Sequence, residues 1–211
     1  MAIEDVRLVG IPLRSSRHIC GFFRSAAEEY DVLLPFIKEG LDHGDYVIQL
    51  IDPARRGEHM RRLQDFGIDA AAAEERGQMV VQDWGDFFLV DGQVDREHVL
   101  ASLRSEIDIG RERGYEFTRL IGDMEWTLQG WTGSDQFVEI EARVNNIPLG
   151  DGDAMVCTYN LARFGGAGII DALRIHPTIV IGASIMENPL YVPPDRFLEE
   201  LRMRPAPALV S

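Results

Sequence analysis

Two of the five histidines and both cysteines carry the most versatile chemistry in the chain. His18 and Cys20 lie two positions apart in an apolar run, and in an extended strand that spacing directs both side chains to one face. Cys157 lies in a later apolar run, and His176 follows a helical pattern. Imidazole and thiolate are common zinc ligands, so these four residues are candidates for a metal site. Their spacing matches no zinc motif, and buried cysteine is commonly a small apolar side chain, so packing or pocket lining is the favoured interpretation.

Two carboxylates repeat this two-residue spacing. Asp123 and Glu125 follow the apolar run that ends at Gly122, which would place both on one side, as an acid/base pair or a hard-metal site requires. The alternative is that Asp123 hydrogen-bonds a neighbouring loop while Glu125 is solvated. Trp126 and Trp131 flank a glycine-containing loop, so Trp126 is either a pocket wall or a lid over the sheet edge.

Apolar runs of strand length alternate with helical patterns along the whole chain. This alternation predicts an α/β fold with a mostly parallel central sheet and helices on both faces. Asp91-Gly92 after the apolar run 87–90 indicates a small hairpin. The predicted strands are 18–23, 46–51, 79–81, 120–121, 155–159 and 178–181, and the predicted helices are 26–40, 53–66, 95–113, 134–146 and 166–174.

Polar groups accumulate where predicted strands end, and open α/β sheets bind ligands at the carboxyl ends of their strands. We therefore predict a small-molecule site at that edge, with aromatic walls and a few converging polar groups. No catalytic residues are assigned. The predicted ligand-binding residues are His18, Cys20, Phe22, Asp123, Glu125, Trp126, Tyr159 and His176.

Composition narrows the class of protein. The 211 residues carry a formal net charge of -14, which repels phosphate backbones and anionic membrane surfaces, so direct nucleic-acid or membrane binding is not expected. No apolar run approaches the roughly 20 residues of a membrane helix, and the start lacks a signal peptide, so we expect a cytoplasmic protein with reduced cysteines. One domain over residues 1–211 is predicted, with a short helix at about 194–202 and a proline-rich tail at 203–211.

The segment after the first strand argues against ATP chemistry. A phosphate-binding loop needs a glycine cradle with lysine and serine or threonine, because backbone N–H groups hold the phosphates while lysine neutralises charge. Residues 22–27 contain neither lysine nor glycine. Asp123 occupies the place of a magnesium-binding acid but has no phosphate loop to serve, so we expect no ATPase activity.

Three segments together carry a resemblance to a known family. Residues 18–23, residues 122–126, and residues 156–159 followed by 173–177 resemble the MEDS domain, the methanogen/methylotroph DcmR sensory domain. Gly40-Leu41 with Gly44-Asp45 fits the same pattern, so the likeness spans roughly residues 15 to 200. The resemblance implies a sensor of simple hydrocarbon derivatives and a RecA/KaiC-like three-layer fold without the phosphate loop. It also implies that Cys20 and Cys157 lie on neighbouring central strands.

The favoured hypothesis is a prokaryotic sensory domain that binds a small molecule and signals to a partner protein. One alternative is a metal- or thiol-dependent enzyme or metalloprotein that uses the same pocket. Another is a degenerate ATPase-like scaffold for protein interaction. The sequence does not identify a cofactor, and it is compatible with a homo-oligomer.

Overall fold

The computed structural model describes residues 6–13 and 18–204. Eleven strands and eight α-helices lie in these residues. The strands are β1 (Arg7–Leu8), β2 (Ile11–Pro12), β3 (His18–Phe23), β4 (Tyr46–Ile51), β5 (Met79–Asp83), β6 (Leu89–Val90), β7 (Gln93–Val94), β8 (Thr118–Asp123), β9 (Ala154–Asn160), β10 (Thr178–Ile181) and β11 (Ser184–Glu187). The helices are α1 (Ala26–His43), α2 (Arg56–Asp65), α3 (Ala70–Glu75), α4 (Trp84–Phe88), α5 (Arg96–Glu112), α6 (Phe137–Val144), α7 (Gly166–Ile175) and α8 (Pro194–Arg202).

The centre of the fold is a seven-stranded sheet in the order β11-β10-β3-β9-β8-β4-β5. β11 pairs antiparallel with β10, and all other neighbours in this sheet are parallel. Every residue of β3, β4 and β8 is buried, and β3 and β4 are mostly apolar in sequence for this reason. The predicted α/β class with a mostly parallel sheet is confirmed.

Helices cover both faces of the sheet. Apolar residues of α1, α2 and α3 pack on one face, and those of α4, α5, α6 and α7 pack on the other. Helix α8 packs against α6 and α7 through Phe197 and Leu198. The last seven positions of the predicted proline-rich tail lie outside the described residues. No helix among residues 6–13 and 18–204 combines the length and apolar character of a membrane span.

A buried arginine joins α1 to the sheet. Arg119 on β8 is 0% exposed, and its Nε donates to Asp45 Oδ2 at 2.6 Å. Its Nη1 donates to the carbonyl of Phe36 at 2.8 Å and to Glu39 at 3.2 Å. A Cβ at Gly40 would lie 2.6 Å from Arg119 Cδ, so glycine leaves the space that this side chain occupies. The ion pair requires a small residue at this position of α1.

We expect Gly40→Ala to lower the free energy of unfolding by about 1–3 kcal/mol, because the added methyl displaces a side chain that three hydrogen bonds hold in place. Gly57→Ala is the matched control, since α2 leaves open space around that Cβ and alanine favours a helix by up to about 1 kcal/mol. Urea denaturation measures both. Equal stabilities of the two variants would contradict the close packing of Arg119 against α1.

Candidate functional site

The predicted ligand-binding residues lie at two different places. His18 begins β3 and His176 lies two residues before β10, whereas Asp123 ends β8. In a parallel sheet these are opposite edges. The faces differ too, since Cys20 and Phe22 belong to the core under α4 to α7, while Asp123 borders residues of α1. The predicted convergence of these residues at the carboxyl edge is therefore wrong, although ligand binding by any one of them stays a prediction.

The two aromatic walls proposed from the sequence are core residues. Trp126 is 1% exposed and stacks on Phe88 with ring centroids 4.3 Å apart. Phe22 contacts the ring of Tyr159, with centroids 5.7 Å apart. Glu125 is buried and pairs with Arg163 at 3.3 Å. Trp126 therefore stabilises the layer beneath α4 and does not line the carboxyl-edge cavity described below.

Four titratable side chains meet at the amino side of the central strands, and we call them the histidine cluster: His18, Glu141, Cys157 and His176. Their potential ligand atoms all lie within 4.8 Å of one another. His18 Nε2 is 3.4 Å from Cys157 Sγ and 3.7 Å from Glu141 Oε2. His176 Nε2 is 3.3 Å from the same carboxylate oxygen. Strand β3, helix α6, strand β9 and the α7–β10 junction each contribute one residue.

Hydrogen bonds to groups outside the cluster show that Nδ1 carries a proton in both His18 and His176. His176 Nδ1 lies 2.8 Å from the carbonyl of Ala172, and a carbonyl only accepts, so Nδ1 carries the proton. The amide nitrogen of Asn145 donates to the carbonyl of Ile175, which turns Asn145 Oδ1 toward His18 Nδ1 at 3.2 Å. His18 Nδ1 is therefore also a donor. Both Nδ1 atoms therefore contact groups outside the cluster, and both Nε2 atoms lie within it.

Burial sets the protonation states. It lowers the pKa of His18 and raises the pKa of Cys157 well above its ordinary value, so His18 is neutral and Cys157 is a thiol. Burial opposes ionisation of Glu141 as well, but its contacts with His176 and His18 hold the pKa of that carboxyl well below its usual range. Tyr159 donates its hydroxyl hydrogen to Glu141 at 3.4 Å. The cluster therefore contains a buried carboxylate facing two imidazole nitrogens.

The two cysteines confirm one expectation of the sequence analysis. Cys20 and Cys157 are paired directly across β3 and β9, and both are buried free thiols. Cys20 lies beside the histidine cluster but is not one of its four members. Of the four metal candidates taken from the sequence, three come together, and Glu141 takes the remaining place.

A small cavity, the carboxyl-edge cavity, lies on the other face of the sheet. Its volume is about 30 Å³, and it is bordered by α1, α2 and the ends of β4 and β8. That space is enough for one or two water-sized groups. Leu33, Ile37 and Ile121 form apolar parts of its lining, and polar side chains form the rest. The main polar members are Glu29, Tyr30, Gln49, Arg55, His59 and Asp123.

Two polar atoms of this lining lack partners. Gln49 Nε2 and His59 Nε2 are buried, and neither finds a hydrogen-bond partner within residues 6–13 and 18–204. His59 Nδ1 contacts the Tyr30 hydroxyl at 3.0 Å. Burial, followed by the charges of Arg55 and Arg56, lowers the pKa of His59 to about 4, so the imidazole is neutral. Unpartnered buried polar atoms are costly, which suggests that a bound molecule satisfies them.

The cavity is acidic. Burial and the nearby Glu29 carboxylate raise the pKa of Asp123 to about 8, and burial also raises the pKa of Glu29. Arg55 lies between them, 3.3 Å from Asp123 and 3.7 Å from Glu29. One arginine therefore contacts a buried and a partly buried acid, and Asp123 keeps its proton at neutral pH.

The side chain of Glu28 accepts a backbone hydrogen bond in the turn between β3 and α1. The Ser25 hydroxyl accepts from the backbone N–H of Glu28 at 3.3 Å, and the Glu28 carboxylate accepts from the backbone N–H of Arg24 at 2.7 Å. A backbone donor that a phosphate-binding loop would offer to an anion is thus satisfied within the chain. This geometry agrees with the expectation of no tight ATP binding, which stays a prediction.

Sequence reasoning missed several residues of both sites. Glu141 lies on the apolar stripe of α6 formed by Phe137, Ile140 and Val144, and this misplaced charge was the available signal. Gln49 similarly interrupts the apolar strand β4. His59 and Arg55 had no comparable signal, because the pattern of α2 is strongly polar.

Comparison with known proteins agrees with this geometry. The family described as MEDS, the methanogen/methylotroph, DcmR sensory domain, matches residues 17–177. The transcriptional repressor DcmR of Methylorubrum extorquens is 24% identical over 172 residues, which are 81% of this chain and 62% of that protein. The chain thus spans less than two thirds of the length of this relative. A KaiC-like protein from Pyrococcus horikoshii OT3 superposes with a TM-score of 0.56 at 15% identity, covering 78% of this chain and 70% of its own. The KaiC/RecA-like fold is confirmed.

Asp123→Asn is expected to stabilise the protein at neutral pH. The folded state keeps the Asp123 proton up to about pH 8, whereas an unfolded aspartate loses it near pH 4, so this group makes stability fall as pH rises between those values. Removing it should raise the free energy of unfolding at pH 7.5 by on the order of 1–3 kcal/mol and flatten the pH dependence. Urea denaturation from pH 4 to 8.5 measures this effect. The exposed Asp135→Asn is the control, and a similar change in both variants would contradict the assignment.

Trp126→Ala is expected to destabilise the fold. Because Trp126 is buried against Phe88, its truncation leaves a large cavity and should cost about 3–5 kcal/mol. The partly exposed Trp131 is the matched position, and Trp131→Ala should cost clearly less. Thermal and urea unfolding compare the two. Equal losses would mean that Trp126 is not the packing residue described here.

Proposed function

Because the chain belongs to the MEDS family of sensory domains, we propose that it binds a small molecule in the carboxyl-edge cavity and passes the bound state to a partner protein. One observation carries this proposal. The cavity combines an apolar wall with two buried polar atoms that find no partner in the described part of the chain. Small-molecule sites have this composition.

The dimensions of the cavity limit its ligand. About 30 Å³ accepts only a few heavy atoms, and the apolar wall favours a short hydrocarbon portion. The Gln49 amide supplies a donor, while the two acids beside Arg55 suit a ligand that brings a donor or a positive charge. Simple hydrocarbon derivatives with one polar group fit this description.

Output through a partner protein is the second part of the proposal. The net charge of -14 disfavours direct contact with nucleic acid or membranes. Apolar side chains near the antiparallel edge of the sheet, Ile181, Met186 and Leu190, are about half exposed and offer surface for a partner or a second copy. The similarity to a transcriptional repressor supports a cytoplasmic regulatory role. This role needs no catalytic step.

The ligand is tested with a panel of one- to three-carbon alcohols, amines and haloalkanes in a thermal-shift assay, followed by calorimetry. At least one chemical class should raise the midpoint of the wild-type protein in a dose-dependent way. Gln49→Leu removes the unpartnered amide and should weaken that binding roughly tenfold, equivalent to about 1.4 kcal/mol.

Gln82→Leu is the matched control for this test, because Gln82 is a glutamine on the neighbouring strand β5 that does not border the cavity. It should leave binding unchanged. If a compound binds and the two glutamine variants change its affinity equally, the carboxyl-edge cavity is not its binding site. If no class binds, the ligand proposal itself fails.

A further inference from the structure

We propose that His18, Glu141, Cys157 and His176 bind one divalent transition-metal ion of the zinc class. This inference does not depend on the proposed function, because the histidine cluster and the carboxyl-edge cavity lie on opposite faces of the sheet. It rests on the distances between the four ligand atoms, on the nitrogens that the two imidazoles present and on the charge of the four residues.

The distances fit a tetrahedral ion. Bond lengths of about 2.0 Å to nitrogen or oxygen and about 2.3 Å to sulfur place the ligand atoms of such a site roughly 3.3–3.5 Å apart. Three of the six separations are near this range, at 3.3 Å for His176 to Glu141, 3.4 Å for His18 to Cys157 and 3.7 Å for His18 to Glu141, and all six are within 4.8 Å. Ordinary packing does not require four donor atoms of this kind at such distances.

Both imidazoles present the same nitrogen to the cluster. His18 and His176 use Nδ1 for an oxygen outside it, and their Nε2 atoms lie 3.7 Å and 3.3 Å from Glu141 Oε2. His176 Nε2 is buried without a hydrogen-bond partner within the described ranges. A metal ion bound by both Nε2 atoms and the carboxylate would satisfy this nitrogen.

A divalent ion also balances the charge of the site. The two imidazole rings are buried with their centroids 4.1 Å apart, so both can reach one ion. A divalent ion with one thiolate, one carboxylate and two neutral imidazoles gives zero net charge. Binding displaces the Cys157 proton to solvent as the metal–sulfur bond forms, and no electrons are transferred.

The surroundings indicate a closed structural site. The four ligands are 0–5% exposed and fill four positions, and Asn145, the Ala172 carbonyl and Tyr159 orient three of them. The ion would connect β3, β9, α6 and the segment before β10, which are distant in sequence. Its role is to hold these elements together.

The test measures metal in the full chain after expression with zinc in the medium and purification in the presence of EDTA, by elemental analysis for zinc, iron, cobalt, nickel and copper. We expect about one equivalent per chain that resists the chelator. Cys157→Ala and Glu141→Gln should each lose most of it. Cys20→Ala is the matched control, because Cys20 is the strand partner of Cys157, equally buried and outside the cluster.

Cobalt provides a readout that does not depend on stability. Protein refolded with Co²⁺ should show the intense visible bands of a tetrahedral ion and a thiolate-to-cobalt charge-transfer band. The Cys20→Ala protein should keep that band, and Cys157→Ala should lose it. The proposal is overturned if the wild type holds no chelator-resistant metal, or if Cys157→Ala retains metal to the same extent as Cys20→Ala, which would indicate adventitious surface binding.

Discussion

The two-residue period of the parallel pair β3–β9 determines where the histidine cluster lies. With Cys20 opposite Cys157, side chains at His18, Cys157 and Tyr159 share one face, and their neighbours turn to the other. A slip of one residue would exchange the two sets and bury the wrong ones. The register in turn depends on the layers on both sides, since each face is covered by its own apolar core. Packing therefore positions the functional groups.

For this protein, a shared fold does not establish a shared activity. The KaiC-like structural relative shows how the strands are ordered, but at 15% identity it carries no functional argument. At the turn after β3, Glu28 accepts from the backbone N–H of Arg24, and Glu29 borders the adjacent cavity. An acid at this position favours neutral or cationic groups where a nucleotide enzyme holds phosphate. The carboxyl edge of this sheet therefore presents acids where a phosphate-binding loop would present backbone donors.

Six of the seven strands of the sheet were predicted from the sequence, whereas β11 and the composition of the sites were not. Strands β3, β4 and β10 agree with their predicted limits because buried parallel strands are uninterrupted apolar runs. The predicted hairpin is present as β6–β7. Phe87 and Phe88, the first two residues of the apolar run before the turn, belong instead to α4, because a short apolar run is compatible with a strand or a helix. The sequence analysis placed His176 at the carboxyl edge of the sheet. In the structure it follows α7 and precedes β10, so it lies at the opposite edge. Glu141 was missed because helical phase alone does not show which charge is buried.

Strand β9 passes between the histidine cluster and Glu29. Cys157 and Tyr159 face the histidine cluster, whereas Thr158 between them faces the other side, where its contact with Glu29 partly offsets the burial that raises the pKa of that carboxyl. The other face of this strand is packed around four buried polar groups. Close-packed interiors deform little, so a displacement on one face of such a strand is transmitted more readily than it is absorbed. The function proposed above requires coupling of this kind, because occupancy of a cavity of a few heavy atoms would have to change a surface that a partner recognises.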